Sequence, residues 1–127
     1  MPDTGGFRCT IQSLGGVACL TLSGDLDLAS VAAFLPHLAA AHDADGLVLD
    51  LHGLRYLDSS GIKALLETQR ELASSGRRIA LVGVSRNIRR ILSVLHLEDL
   101  MPGFPSVDDA LAYLRSSGGS DRPLAGA

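Results

Sequence analysis

The side chains most able to take part in chemistry lie in a short polar turn, Asp58-Ser59-Ser60-Gly61, which opens an apolar-periodic segment. Asp and Ser are preferred helix N-caps, so plain capping explains this turn if it is taken alone. A cap needs only one such side chain, however, and Ser60 is therefore predicted to project an exposed hydroxyl at the positive end of a helix. A hydroxyl acting as a nucleophile would need a neighbouring base, for which His52 is the only loop candidate.

A second acidic turn, Gly24-Asp25-Leu26-Asp27, breaks the alternating pattern of the strand before it. Because the carboxyl ends of parallel strands meet at one edge of a sheet, we expect the two turns to lie close together. Asp27 and Asp58 each have two open interpretations, helix capping or contact with a partner. Asp58 could also hydrogen-bond the Ser60 hydroxyl, and Lys63 is explained equally well as a solvated residue or as a partner contact.

Other patterns typical of enzymes and metal sites are missing from the sequence. It has no Walker-type loop, no Gly-x-Ser-x-Gly, no His-Glu-x-x-His and no Cys-x-x-Cys. We therefore predict that the chain is not an enzyme and has no catalytic residues, metal or cofactor. A response-regulator receiver is suggested by Asp50 at the end of a buried strand, but such a domain opens with a βαβ unit and this chain opens with a hairpin.

The strands that position the two turns follow from the hydrophobic pattern. Alternation over residues 7–13 and 17–23 predicts a hairpin, and nearly continuous apolar runs over 47–51 and 79–84 predict buried strands. Residues 52–57 are expected to form a loop, and residues 100–104 a short last strand. Helices between the later strands predict an α/β fold with a mixed sheet, whose later strands are parallel and joined by right-handed crossovers.

About four helices are predicted. The first carries Pro36 inside its apolar stripe, which should kink the helix or shift its start; the stripe is Leu28, Val31, Ala32, Leu35, Leu38 and Ala39. The second runs to about Ser75 and is expected to bury Ile62, Leu65, Leu66, Leu72 and Ala73. Ser85 caps the third, whose inner residues are Ile88, Ile91, Leu92 and Leu95. Ser106 and Asp109 resemble a capping box for the fourth, which carries Val107, Ala110, Leu111 and Leu114.

Composition narrows the classes of function. The chain of 127 residues is 46% hydrophobic, which suffices for one domain with a real core, and its net charge of −3 does not favour nucleic-acid binding. No secretory signal and no apolar run of membrane-spanning length is present, so we expect a cytoplasmic protein without membrane insertion. Cys9 and Cys19 are predicted to be reduced and buried. The arginines at positions 77, 78, 86, 89 and 90 are interpreted as a solvated helix face.

Residues 47–66, LVLDLHGLRYLDSSGIKALL, resemble the STAS domain of bacterial anti-sigma factor antagonists. In that family, as is predicted for this segment, a buried strand and a loop are followed by a D-S-S-G motif that opens a helix. The turn Gly24-Asp25-Leu26-Asp27 resembles its G-E-[IL]-D turn, with Asp25 in place of the usual Glu. The segment ALVGVSRNIRRILSVLHLEDLMPGFPSVDDAL resembles the strand and helices that follow. The resemblance spans residues 7–115 and predicts a single STAS domain over residues 5–117. The composition of the last residues, SSGGSDRPLAGA, predicts a disordered tail over residues 118–127.

The resemblance implies a function in transcription regulation. The second Ser of the motif is the phosphoacceptor in that family, which places phosphorylation at Ser60. The implied partner is an anti-sigma factor that is also a serine kinase and supplies its own ATP, and the implied state of the chain is a monomer or weak dimer. The residues assigned to partner contact are Asp25, Asp27, Asp58, Ser59, Gly61 and Lys63. The alternative is a STAS accessory or scaffold subunit of a transporter or signalling complex.

Overall fold

Strands and helices alternate around one mixed sheet in the computed structural model, which describes residues 6–116. The strands are β1 (Arg8–Leu14), β2 (Val17–Leu26), β3 (Leu47–Leu57), β4 (Ile79–Val82) and β5 (Gly103–Phe104). The helices are α1 (Val31–Ala40), α2 (Ser59–Ser74), α3 (Arg86–Val94) and α4 (Val107–Arg115). The sheet order is β1-β2-β3-β4-β5, with β1 antiparallel to β2 and the later pairs parallel. The α/β class, the hairpin and the four helices are confirmed.

The predicted domain limits at residues 5 and 117, and the predicted tail over residues 118–127, lie outside the described residues. None of the helices between residues 6 and 116 is long and apolar enough to cross a membrane.

The two faces of the sheet carry separate hydrophobic clusters. Leu47 and Leu49 pack in the larger cluster with residues of α1, α2 and α3, whereas Val48 packs in the smaller cluster with residues of α4. Successive residues of a strand point to opposite faces, so the nearly continuous apolar run of β3 is buried on both sides. Three helices thus cover one face, and α4 covers part of the other.

Strands β2 and β3 extend beyond their predicted ends, so the predictions of a strand break at Gly24 and a loop over residues 52–57 were wrong. The parallel pairing continues to Leu26 beside Leu57, with register shifts at Thr21/Ser23 and Gly24/Asp25. Gly24 adopts a φ of +87°, which an L side chain rarely adopts. These bulges interrupt the alternation of apolar and polar residues, and this interruption hides the ends of both strands from pattern analysis. At β4 the strand ends at Val82, two residues earlier than predicted.

Helix α1 differs from prediction in which face it buries. It begins at Val31, keeps Pro36 inside, and buries Phe34 and Leu38. Four members of the predicted stripe are exposed: Leu28, Ala32, Leu35 and Ala39. Because α1 begins directly after Ser30, the residues Val31, Phe34 and Leu38 lie on one face of the helix at helical spacing. That face packs against the larger cluster and buries the Phe34 ring. Pro36 therefore lies on the exposed face of α1.

The other helices agree with prediction more closely. In α2, Ala64 is buried in place of the expected Ala73, and the half-buried Ile62 and Leu66 pack against the larger cluster. Beyond α3, Leu95 is exposed, contrary to expectation. The two predicted caps are confirmed, since Ser85 accepts from the Ile88 N–H at 3.2 Å and Ser106 accepts from the Asp109 N–H at 3.1 Å.

The two cysteines are unbridged, as predicted. Cys9 packs against the larger cluster and Cys19 lies in the smaller one, on opposite faces of the sheet. Cys19 is buried and Cys9 is only partly buried. Burial raises the pKa of the Cys9 thiol to about 11, and burial followed by the nearby charge of Asp50 raises the pKa of Cys19.

Candidate functional site

The two acidic turns lie side by side where β2 and β3 end. Leu26 pairs with Leu57 across the parallel ladder, and the backbone N–H of Asp58 donates to the Leu26 carbonyl at 3.1 Å. The expectation from the sequence that the turns meet in space is therefore confirmed. The same pairing extends both strands up to the site, so the turns are held by the sheet rather than by long loops.

Asp58 serves both turns at once. Its Oδ1 accepts hydrogen bonds from the backbone N–H of Ser60 at 2.8 Å and of Gly61 at 3.3 Å, which caps α2. Its Oδ2 accepts from the backbone N–H of Leu28 at 3.2 Å, in the turn that follows β2. The capping interpretation of Asp58 is thus confirmed, and the carboxylate in addition joins two segments that are far apart in sequence.

Ser60, whose hydroxyl was predicted to be exposed, is the second residue of α2 and is half-buried as a residue. Within residues 6–116 its hydroxyl makes no hydrogen bond, and the contact between Asp58 and Ser60 is made by the backbone N–H of Ser60. Ser59, directly before it, is exposed. The hydroxyl thus lies at the start of a helix, outside the apolar core and without an internal partner among the described residues.

Gly61 allows the start of α2 to approach the ends of β2 and β3 closely. A Cβ at this position would lie 2.7 Å from Leu57 Cδ1 and 2.8 Å from Leu26 Cγ, which is closer than carbon atoms pack. Gly61 is buried, and its small size is what allows this close approach. Its place in the motif has a packing explanation that sequence analysis did not reach.

The Asp25–Leu28 turn is organised by Ser30, which sequence analysis missed. Ser30 is fully buried; its Oγ donates to the Asp25 carbonyl at 2.7 Å and accepts from the Asp27 N–H at 2.9 Å. In return, Asp27 Oδ1 accepts from the Ser30 N–H at 3.1 Å. The Asp-x-x-Ser spacing, which resembles a capping pair, was the available signal. Asp27 therefore closes the turn that leads into α1.

One of the three acidic side chains at the rim is paired with a basic residue. Asp25 forms an ion pair with Arg55, whose Nη2 lies 3.5 Å from Asp25 Oδ1. Asp27 and Asp58 are both bonded to backbone N–H groups, which stabilise their negative charges. Arg55 was not singled out from the sequence because it falls in the segment that was expected to be a loop.

Apolar side chains are exposed next to these turns. Leu28 is 76% exposed and Tyr56 is 48% exposed, although the sequence pattern placed Leu28 on a buried stripe. A groove of about 490 Å³ begins at Ser59 and continues along α2 to the end of α3. Its lining consists of Ser59, Ile62, Lys63, Leu66, Glu67, Arg70, Leu95 and Leu97. Lys63 is therefore an exposed residue on the edge of an apolar groove.

The remaining candidates lie outside this site. Arg77 donates to the Ala44 carbonyl at 2.8 Å, and the Arg78 guanidinium stacks 3.9 Å above the Tyr113 ring. The prediction that these two arginines are solvated was therefore wrong, whereas Arg86, Arg89 and Arg90 are exposed.

His52 lies in β3 rather than in a loop, and its Nδ1 is 2.7 Å from Asp50 Oδ1. Asp50 therefore has a structural partner within β3. Among residues 6–116, no group of three or more His, Cys, Asp or Glu side chains is placed to hold a metal ion.

Comparison with known proteins agrees with this architecture. Residues 8–110 match the family model of the STAS domain. The chain belongs to the STAS domain family. It is 30% identical over 116 residues to the anti-sigma-F factor antagonist RsfB of Mycobacterium tuberculosis, covering 90% of this chain and 93% of RsfB. The resemblance to anti-sigma factor antagonists is thereby confirmed.

Solved structures show the same fold for this STAS domain. An anti-sigma factor antagonist from Mycobacterium paratuberculosis superposes with a TM-score of 0.80 at 25% identity, covering 91% of this chain and all of the other. The anti-sigma factor antagonist SpoIIAA in its unphosphorylated form superposes with a TM-score of 0.74 at 20% identity, covering 85% and 96% of the two chains.

Proposed function

We propose that this STAS domain is an anti-sigma factor antagonist, without catalytic activity of its own, that binds an anti-sigma factor with serine kinase activity. Phosphorylation of Ser60 by that kinase switches the binding off. The observation that carries the proposal is the position of Ser60 at the start of α2, where Asp58 joins the two turns and Leu28 is exposed. The name of RsfB supports the class of partner.

The surface that docks on the kinase combines apolar contacts with a polar rim. We define the docking surface as Leu28, Tyr56, Ser59, Lys63 and the groove between α2 and the end of α3. Exposed leucine and tyrosine side chains provide the apolar area that a protein interface buries at its centre. The other predicted contact residues contribute mainly by shaping this surface. Asp25 pairs with Arg55, and Asp27 and Asp58 accept hydrogen bonds from backbone N–H groups. Gly61 is buried.

The transfer itself needs no catalytic group from this chain. The Ser60 oxygen forms a bond to the γ-phosphorus of the ATP that the kinase carries, the bond to the ADP oxygen breaks, and the hydroxyl proton passes to a base of the kinase.

The added phosphate acts on the interface more than on the fold. It brings about −1.5 to −2 charges to a helix N-terminus, which tolerates an anion. A docked partner, however, would have to desolvate that charge beside Asp58 and Asp27. Like charges 4 Å apart repel by about 4 kcal/mol at an effective dielectric constant of 20. A penalty of even about 2.8 kcal/mol weakens binding about a hundredfold, which is enough for a switch.

The test is a binding and phosphorylation assay with the anti-sigma factor kinase of the same organism. The wild-type chain and Ser60→Ala should bind it, and Ser60→Asp should not. Ser74→Asp, at the far end of α2, is the matched control for the added charge and should bind normally. Incubation with ATP should add one phosphoryl group to the wild type and none to Ser60→Ala. Equal binding by Ser60→Asp and the wild type would instead indicate a scaffold subunit.

A further inference from the structure

We propose that Asp58 is a positioning residue that transmits phosphorylation of Ser60 to the turn carrying Leu28. A phosphate on Ser60 displaces the Asp58 carboxylate, and the displaced carboxylate releases the backbone N–H of Leu28. The proposal rests on the proposed function, since it describes how the phosphorylated state of the same site loses its partner.

The geometry makes Asp58 the link between the two segments. One oxygen of the carboxylate holds the N–H groups of Ser60 and Gly61, and the other holds the N–H of Leu28 at 3.2 Å. The Asp58 side chain therefore contacts the N-terminus of α2 and also holds the backbone N–H of Leu28, thirty residues earlier in the chain. Movement of the carboxylate cannot break one set of bonds without straining the other.

A phosphate on Ser60 competes for the donors that Asp58 uses. The first-turn N–H groups of a helix are the preferred ligands of a phosphate in this position. In the structure those of Ser60 and Gly61 are already occupied by the Asp58 carboxylate. Two anions cannot share them at short distance, because like charges repel strongly where solvent is partly excluded. The more highly charged phosphate therefore takes the donors, and Asp58 swings away.

Asp58 is the acceptor of the Leu28 N–H, whereas the turn around Leu28 is closed by the N–H groups of Ser30 and Val31, which donate to the Asp27 carbonyl at 3.1 and 2.8 Å. The Leu28 side chain is 76% exposed, so it gains almost no packing that would keep the backbone in place. Asp25 and Asp27 are different, because the fully buried Ser30 bonds to the backbone of both. The release is therefore confined to Leu28, the most exposed apolar residue of the docking surface, and leaves the Ser30 hydrogen bonds in place.

Amide hydrogen exchange, followed by NMR in the absence of any partner, tests this relay. Phosphoserine is installed at position 60 during translation, so that no kinase is needed. We expect the Leu28 amide to exchange about tenfold faster in the phosphorylated chain, which corresponds to the loss of one charge-assisted hydrogen bond. The Ser30 amide, bonded to Asp27, should keep its rate and serves as the internal control.

Asp58→Asn separates the relay from a direct effect of the phosphate. Asn has one acceptor oxygen, which suffices to cap α2 but leaves the Leu28 N–H without its partner. The variant should therefore show fast exchange at Leu28 before phosphorylation, and phosphoserine at position 60 should add little. An unchanged Leu28 rate in the phosphorylated wild type, or an equal effect of phosphorylation in Asp58→Asn, would overturn the relay.

The outcome is distinguishable from failure of the proposed function. If the phosphorylated chain binds the kinase as tightly as the unphosphorylated chain, the proposed switch is wrong whatever Leu28 does. If binding is lost while the Leu28 amide is unaffected, the switch is correct and only the relay through Asp58 is wrong.

Discussion

The backbone of Gly61 lies so close to Leu57 that a single added carbon atom would be 2.7 Å from the Leu57 Cδ1 atom. This contact seats the first turn of α2 on the end of β3, and the cap from Asp58 then fixes the direction in which the helix starts. The position of Ser60 is thus determined by one glycine and one carboxylate. Substitutions at Gly61 or Asp58 should therefore shift the Ser60 hydroxyl although neither replaces Ser60 itself.

Gly61→Ala should destabilise the fold. The new methyl group overlaps Leu57 and Leu26, and overpacking of a buried site typically costs about 1–3 kcal/mol. Urea denaturation of both proteins measures the difference in the free energy of unfolding. Gly103→Ala is the matched control, because its nearest neighbour is at 3.6 Å, and it should change stability by less than about 0.5 kcal/mol. Equal stability of Gly61→Ala and the wild type would contradict the packing explanation.

Ser30→Ala should loosen the turn before α1. The substitution leaves the Asp25 carbonyl and the Asp27 N–H without their buried partner. An unsatisfied buried polar group costs about 1–3 kcal/mol, which thermal unfolding would detect as a lower Tm. Ser93→Ala, at an exposed position of α3, should leave the Tm nearly unchanged. A Ser30→Ala variant as stable as Ser93→Ala would show that the buried hydroxyl does not organise the turn.

Leu28→Ala should weaken partner binding while leaving the fold intact. The side chain is 76% exposed, so its removal opens no cavity, but a central apolar contact residue contributes about 1–3 kcal/mol to an interface. Calorimetric titration with the anti-sigma factor kinase should therefore show a Kd raised about tenfold to hundredfold. Leu35→Ala removes an apolar side chain that is 48% exposed on α1, away from the docking surface, and should bind like the wild type. The opposite ranking would place the interface on α1.

The partly buried Cys9 thiol should make stability fall at alkaline pH. Burial raises its pKa to about 11 in the folded protein, so the unfolded chain releases this proton at lower pH than the folded one. Stability is therefore lost as the pH rises through the usual thiol range towards 11. Unfolding curves between pH 8 and 11 should show a smaller alkaline loss in Cys9→Ala. An identical loss in both proteins would assign it to other groups.

Much of the fold is predictable from local patterns. The hairpin, the buried strands β3 and β4 and the four helices follow from apolar periodicity, and the caps at Ser85 and Ser106 follow from residue type. The convergence of the two acidic turns follows from the geometry of parallel strands alone. These features depend on residues that are near each other in sequence or on general rules of chain topology.

The details of the site required the tertiary structure. Local sequence is enough to predict that the Ser60 hydroxyl follows a capping aspartate at a helix start, because capping depends only on neighbouring residues. Three features are visible only in the folded protein: Asp58 also bonds to Leu28, Ser30 is buried against the Asp25–Leu28 turn, and the Leu28 side chain faces solvent. Each of these depends on the bulged pairing of β2 with β3, which brings together segments about thirty residues apart in a register that alternation along one strand does not encode.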